Sequence, residues 1–198
     1  MSDIPSSHHQ TVAAYVGQAQ AVISAITSLA APIGQAADLW IESLRTGGKI
    51  LFCGNGGSAA DAQHLAAELL GRFLTDREPM PALSLTVDTS SLTAISNDFG
   101  YETVFSRQLK GIGRQGDVLV GLSTSGNSRN VVNAFALART MGVRTVGLTG
   151  QHGGAMAELS DILIAVPDAR TNHIQEAHIT IGHLICAIVE TTLYPNNA

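Results

Sequence analysis

Two short segments of this chain are dense in groups that bind anions. Residues 123–128 read Ser123-Thr124-Ser125-Gly126-Asn127-Ser128, and helix-forming sequence follows at once. Hydroxyls donate to phosphate oxygens, Gly126 lets the backbone come close, and the first N–H groups of the helix are left unpaired. A helix cap needs only one Ser or Asn. So many hydroxyls directly after a buried strand fit a phosphate site better. A second loop, Gly54-Asn55-Gly56-Gly57-Ser58, joins an apolar run to another helical stretch. It has neither the glycine spacing of a dinucleotide fold nor a Gly-Lys-Ser/Thr phosphate loop, which disfavours a nucleotide. It reads as a tight turn, with Asn55 and Ser58 available to sugar hydroxyls or phosphate.

His64 and Glu68 lie four residues apart and share one face of the helix that starts at the second loop. A His–carboxylate pair at this spacing holds a divalent metal or performs acid–base work, although on most helices it is a surface contact. The last helix adds Gln175, Glu176, His178 and His183. Gln175 and His183 are two turns apart with an offset of about 80°, so they share a broad face. His178 points elsewhere, towards a subunit contact or a neighbouring site. His183 stands among Ile181, Gly182, Leu184 and Ile185, surroundings that for a lone histidine would suggest the core. The whole set of candidates is what points to a site.

These groups need a scaffold that brings the loops together. Residues 49–53, 82–85, 117–122, 144–148 and 162–166 read as short buried strands. Residues 11–30, 32–46, 58–72, 90–96, 104–112, 127–141 and 173–193 read as helices, and Pro32 suits a first helical turn. Strands that alternate with helices predict an α/β fold with a parallel sheet covered on both faces. Ligands of such sheets bind at the carboxyl ends of the strands. The polar, glycine-rich loops occupy those ends. Two leading helices with no strand between them are expected to pack on the sheet or to form an intersubunit bundle.

The chain has 198 residues, enough for one well-buried core, and we read it as a single domain, 1–198, with a helical pair over 1–46 and an α/β core over 47–198. Hydrophobic residues make up 45% and charged residues 14%, which predicts surface buried against other subunits. The net charge is −5 and no Lys/Arg run occurs, so neither nucleic acid nor an anionic membrane is expected as a partner. Cys53 and Cys186 lack metal or redox spacing and read as core residues. The polar start over 1–10 has no apolar signal core, and the apolar runs look too short and interrupted to span a bilayer. A cytoplasmic location is expected.

Taken in order, the segments Cys53-Gly54-Asn55-Gly56-Gly57-Ser58-Ala59-Ala60-Asp61-Ala62-Gln63-His64, Glu68 with Arg72-Phe73, Ser96-Asn97-Asp98-Phe99-Gly100-Tyr101, Phe105-Ser106-Arg107, Gly116-Asp117-Val118-Leu119, the loop 123–128, Leu148-Thr149-Gly150, Gly153-Gly154 and Ile174-Gln175-Glu176 with His178 and His183 resemble the sugar isomerase (SIS) domain family. Within it they are most similar to the isomerases of phosphorylated seven-carbon sugars. The resemblance covers nearly the whole chain beyond the first helix. It implies a three-layer flavodoxin-like fold with a five-stranded parallel sheet, and a homotetramer with intersubunit active sites. The implied reaction converts sedoheptulose 7-phosphate to D-glycero-D-manno-heptose 7-phosphate, a first step towards heptoses of bacterial lipopolysaccharide or other surface glycans. It implies one zinc ion per subunit on His64, Glu68, Gln175 and His183. It also implies substrate contacts from Asn55, Gly56, Gly57, Glu68, Asn97, Asp98, Ser123, Thr124, Ser125, Ser128 and Gln175.

An enediol route needs a base, a partner acid and a means of holding the charged oxygens. Glu68 is expected to be the base between C1 and C2, and His183 its partner at the oxygens. Asp61, Asp98 and Gln175 are expected to orient the sugar or assist ring opening. Non-catalytic SIS relatives bind the replication initiator or sense sugar phosphates. The ending Thr191-Thr192-Leu193-Tyr194-Pro195 and the run Asn127-Ser128-Arg129 resemble the initiator-binding lineage. That lineage replaces the residue at the position of Glu68, and this chain keeps it.

Overall fold

In the computed structural model, which describes residues 6–195, helix α1 (Ser6–Ala25) leads through a 3-10 turn (Ile26–Leu29) into α2 (Ala30–Arg45). Then come β1 (Ile50–Gly54), α3 (Gly57–Leu70), β2 (Ala82–Ser84), α4 (Thr89–Phe99), α5 (Val104–Ile112) and β3 (Val118–Ser123). The chain ends with α6 (Arg129–Thr140), β4 (Arg144–Gly150), β5 (Ile162–Val166) and α7 (Thr171–Leu193). All strand pairings are parallel, in the order β2-β1-β3-β4-β5. The expected α/β architecture is present, and each expected strand lies within a residue or two of the observed one.

Alternation along the strands sorts the core into two layers. Ile50, Phe52, Val118, Val120 and Leu122 face the layer built with α2, α3 and α7. Leu51, Cys53 and Leu119 face the layer of α5 and α6. Gly121 makes the second layer close: a Cβ there would stand 2.4 Å from the Phe135 ring. The strand order reverses direction at β1 and β3, and their paired ends Gly54 and Leu122 release chain to opposite faces. A crevice must open between the two outgoing loops.

The leading helices differ from expectation. The break falls at Ile26–Leu29, earlier than expected, and Pro32 sits third in α2, where a missing N–H costs nothing. Ser7–Arg45 is also long and apolar enough to cross a membrane by length and composition, contrary to the sequence reading. Yet Ala36, Ala37 and Trp40 of α2 are wholly buried in the layer over the sheet. Helix α1 keeps Val12, Tyr15, Val16 and Ile23 exposed. The expected polar start over 1–10 falls in part outside the described residues, as do 1–5 and 196–198 of the expected domain.

His178 is another correction. It does not reach a surface: it is fully buried, with its Nε2 3.1 Å from the Thr149 carbonyl. Burial pulls its pKa down to about 4, against the smaller opposing pull of that carbonyl. The ring is therefore a neutral core group that ties α7 to β4.

A buried ion pair fastens the segment after α3 to the end of α7. Glu190 accepts from the N–H groups of Phe73, Leu74 and Thr75 and from Arg77 Nε at 2.9 Å. Arg77 also donates to the carbonyls of Glu68 and Leu69, the last turn of α3. Burial works to raise the Glu190 pKa, but the three N–H groups and Arg77 outweigh it and hold the carboxyl below its ordinary value. Replacing Glu190 by Ala strands a buried guanidinium and three N–H groups, and should cost about 3–5 kcal/mol in urea unfolding at pH 7. Because the folded pKa is depressed, this stabilisation is complete above the ordinary value of 4.5 and fades as pH falls through the folded value. The gap between the parent and Glu190→Ala should therefore narrow in acid.

Candidate active site

Helices α3 and α7 run side by side in the same direction. Gln175 lies over Gly57 at the start of α3, where a Cβ would stand 2.8 Å from its amide. Two turns further, Leu65 fills the space above Gly182, with 2.4 Å to a Cβ placed there. At that level His64 Nε2 is 2.9 Å from His183 Nε2 and 3.0 Å from Glu68 Oε1. Phe73 stacks on the His183 ring, with centroids 5.4 Å apart.

The three ligand atoms of His64, Glu68 and His183 lie within 4.8 Å of one another. Two imidazoles and a carboxylate suit zinc, whose tetrahedral ligand atoms stand roughly 3.3 Å apart. The His64–His183 and His64–Glu68 contacts are slightly shorter, so a small outward movement of His64 would bring both to that spacing. Gln175 is two turns along α7 from His183, about 12 Å by helical rise, and its side chain sits at Gly57.

The hydroxyl-rich loop leaves β3 as expected. Ser128 is the N-cap of α6, but its hydroxyl does not cap the helix; it pairs with Ser123 Oγ at 2.9 Å. The loop is thus more than a cap. Ser125 accepts from the Asn127 N–H, and Thr124 and Gly126 give their carbonyls to the N–H groups of Gly150 and Met156. Gly126 has φ +67°, and a Cβ there would stand 2.0 Å from the Gly153 carbonyl oxygen. Thr124 and Ser128 are half-buried and Ser125 is exposed, so the loop presents hydroxyls to the crevice.

Across the crevice, Gly56 and Gly57 are exposed, whereas Ser58 is buried beneath Gly54. Asp61 is half-buried one turn into α3. Burial raises its pKa, partly offset by His64, and its Oδ2 has no hydrogen-bond partner among the described residues. Asn97 and Asp98 end α4, are exposed, and bond to each other at 2.8 Å. Asn55 is held by Asn130 and Tyr101. Asn130 and Arg77 carry no signal in the sequence as site residues, because their roles depend on contacts across the fold. Phe73 and Tyr101 are visible there only as parts of family motifs.

The sheet order, the hydroxyl loop at its switch point and the His/His/Glu cluster on α3 and α7 define an α/β protein with a candidate anion loop and a candidate metal cluster. A SIS-domain model matches residues 14–150. The phosphoheptose isomerase of Akkermansia muciniphila is 63% identical over 86% of this chain and 90% of its own length. That of Rhodospirillum rubrum is 58% identical over 81% and 86%. The solved phosphoheptose isomerase of Neisseria gonorrhoeae superposes with a TM-score of 0.88 at 45% identity, covering 92% of this chain and 98% of that one. The chain belongs to the SIS-domain family and, within it, to the phosphoheptose isomerases.

The Gly126 geometry yields a direct check. Gly126→Ala forces a side chain into a left-handed residue against the Gly153 backbone. It should cost at least about 1–3 kcal/mol in thermal unfolding and open the loop.

Proposed function

We propose that the protein interconverts sedoheptulose 7-phosphate and D-glycero-D-manno-heptose 7-phosphate, at the entry to bacterial heptose synthesis for lipopolysaccharide or other surface glycans. The observation that carries this reading is membership of the phosphoheptose isomerases with the His64–Glu68–His183 cluster and the 123–128 loop intact.

In this reading the phosphate is held by Ser123, Thr124, Ser125 and Ser128 and the first N–H groups of α6, with Asn55, Gly56 and Gly57 opposite. Binding the far end of the sugar fixes the reacting carbons in place. Glu68 removes the C1 proton of the ketose and returns it to C2, while His183 moves a proton between the two oxygens through the enediol. Asp61, Asp98 and Gln175 orient the sugar. Zinc would be held by His64, Glu68 and His183, and Gln175 would complete the set only by turning its side chain from Gly57 along α7. When bound, it would polarise the carbonyl and stabilise the enediolate oxygens.

The assembly we propose is a homotetramer with active sites between subunits. Exposed Val12, Val16, Ile23, Leu184 and Ile188 on α1 and α7 support it, as an apolar face of this extent favours a second copy. Asn97 and Asp98, exposed at the end of α4, are then available to a shared site. A cytoplasmic location agrees with Cys53 and Cys186, which are free, buried and on opposite faces of the sheet.

The deciding experiment follows aldoheptose 7-phosphate formation by NMR after the zinc-loaded protein meets sedoheptulose 7-phosphate. Product is expected, and Glu68→Gln should lower turnover by at least about 100-fold. Normal turnover in that variant would remove Glu68 from the mechanism. Ser125→Ala should raise KM about tenfold with kcat little changed, as one charge-assisted hydrogen bond is lost. Zinc should raise Tm, and His183→Ala should abolish that shift. In light scattering the protein should have four times the mass of the 20.6 kDa chain.

A further inference from the structure

Asn55 lies in a cleft of about 400 Å³ whose lining includes Tyr101, Ser128, Arg129 and Asn130. Its side chain makes a reciprocal amide pair with Asn130. Asn55 Nδ2 donates to Asn130 Oδ1 at 2.9 Å, and Asn130 Nδ2 donates to Asn55 Oδ1 at 2.8 Å. Tyr101 Oη donates to the same Asn55 oxygen at 2.9 Å.

The orientation of this pair follows from a group that has only one role. The Val131 backbone N–H, in the first turn of α6, points at the Asn130 side chain at 3.0 Å. A backbone N–H only donates, so the atom facing it must be the Asn130 amide oxygen. The Asn130 nitrogen is then turned towards Asn55, which must answer with its own oxygen. That oxygen, with two lone pairs, is fully used by Asn130 and Tyr101. Of the two Asn55 N–H bonds, one goes to Asn130. A single N–H is left for the cleft. Asn130 is 3% exposed and cannot exchange these bonds for water.

We propose that Asn130 is a positioning residue: through the amide pair, the backbone of α6 fixes Asn55 as a one-proton donor to substrate. The ligand atom at Asn55 must then be an acceptor, such as a phosphate or carbonyl oxygen, and a hydroxyl there must direct its own proton elsewhere. This rests on the reading of Asn55 as a substrate contact. A free asparagine would meet donors and acceptors alike.

The test is a double-mutant cycle with Asn55→Ala and Asn130→Ala, read in sedoheptulose 7-phosphate kinetics and in spectra of protein labelled with 15N-asparagine. Asn55→Ala should raise KM about tenfold, the weight of one hydrogen bond. Asn130→Ala should raise it nearly as much with kcat little changed, and the double variant should be no worse than Asn55→Ala alone. Multiplying losses, or an unchanged KM in Asn130→Ala, would overturn the proposal. The spectra speak even without turnover. The Asn55 side-chain amide, identified by its loss in Asn55→Ala, should shift towards its free-peptide position in Asn130→Ala and in Asn130→Asp, which sets an oxygen against an oxygen. An unmoved resonance would sink the positioning role, whereas a moved resonance in a protein without isomerase activity would uphold the pair and refute the functional reading alone.

Discussion

The close approach of α3 to α7 sets the geometry of the candidate site. Gly182 has no side chain, and Leu65 occupies the space a Cβ would need. That contact fixes the distance between the two helices one residue away from His64 on one side and His183 on the other. A larger residue at 182 would part the helices, and the imidazoles, which meet at 2.9 Å, would separate with them. Because the helices run in the same direction, contacts recur in step along them: Gln175 at Gly57, His183 at His64, and Glu190 beyond the end of α3. The Glu190–Arg77 pair closes the far end of this zip and carries Phe73 onto the His183 ring.

A second constraint comes from sheet topology. Chain leaving β1 and β3 turns to opposite faces, so the two glycine-rich loops diverge and leave a crevice between them. Side-chain pairs hold the loop ends, Asn55 with Asn130 on one side and Ser123 with Ser128 on the other, while backbone bonds hold the middle of the 123–128 loop. The segment 124–126 hangs on the N–H groups of Gly150 and Met156, and Ser125 Oγ, which accepts from the Asn127 N–H, keeps its own proton to donate. A buried charge-pairing residue would have served stability there but would have competed with an anionic ligand. The protein instead keeps its net charge negative and concentrates donors at one helix start.

Much of the arrangement was legible from the chain alone. The five strands, the helices between them, the loops at 54–58 and 123–128, and the His64–Glu68 face all follow from local periodicity and turn chemistry, which act over a few residues. The family resemblance rested on the same local motifs. The sequence reading went astray where apolar character had two outlets. The apolar stretch 7–45 looked too interrupted to span a membrane yet meets the length for it, and its α2 half is spent covering the sheet. His178 was expected towards a subunit contact or a neighbouring site, but its face of α7 meets β4 and is buried.

By itself the sequence determined the element order, the two polar loops and the residues able to hold metal or move protons, since each is written in a short window of neighbours. The tertiary structure alone decided which of those residues meet. It gathered His64, Glu68 and His183, set Gln175 over Gly57, buried Ser58 and His178, and paired Asn55 with Asn130 across 75 residues of chain. Those outcomes depend on helix spacing and strand order, and packing sets these between segments whose sequences carry no record of each other.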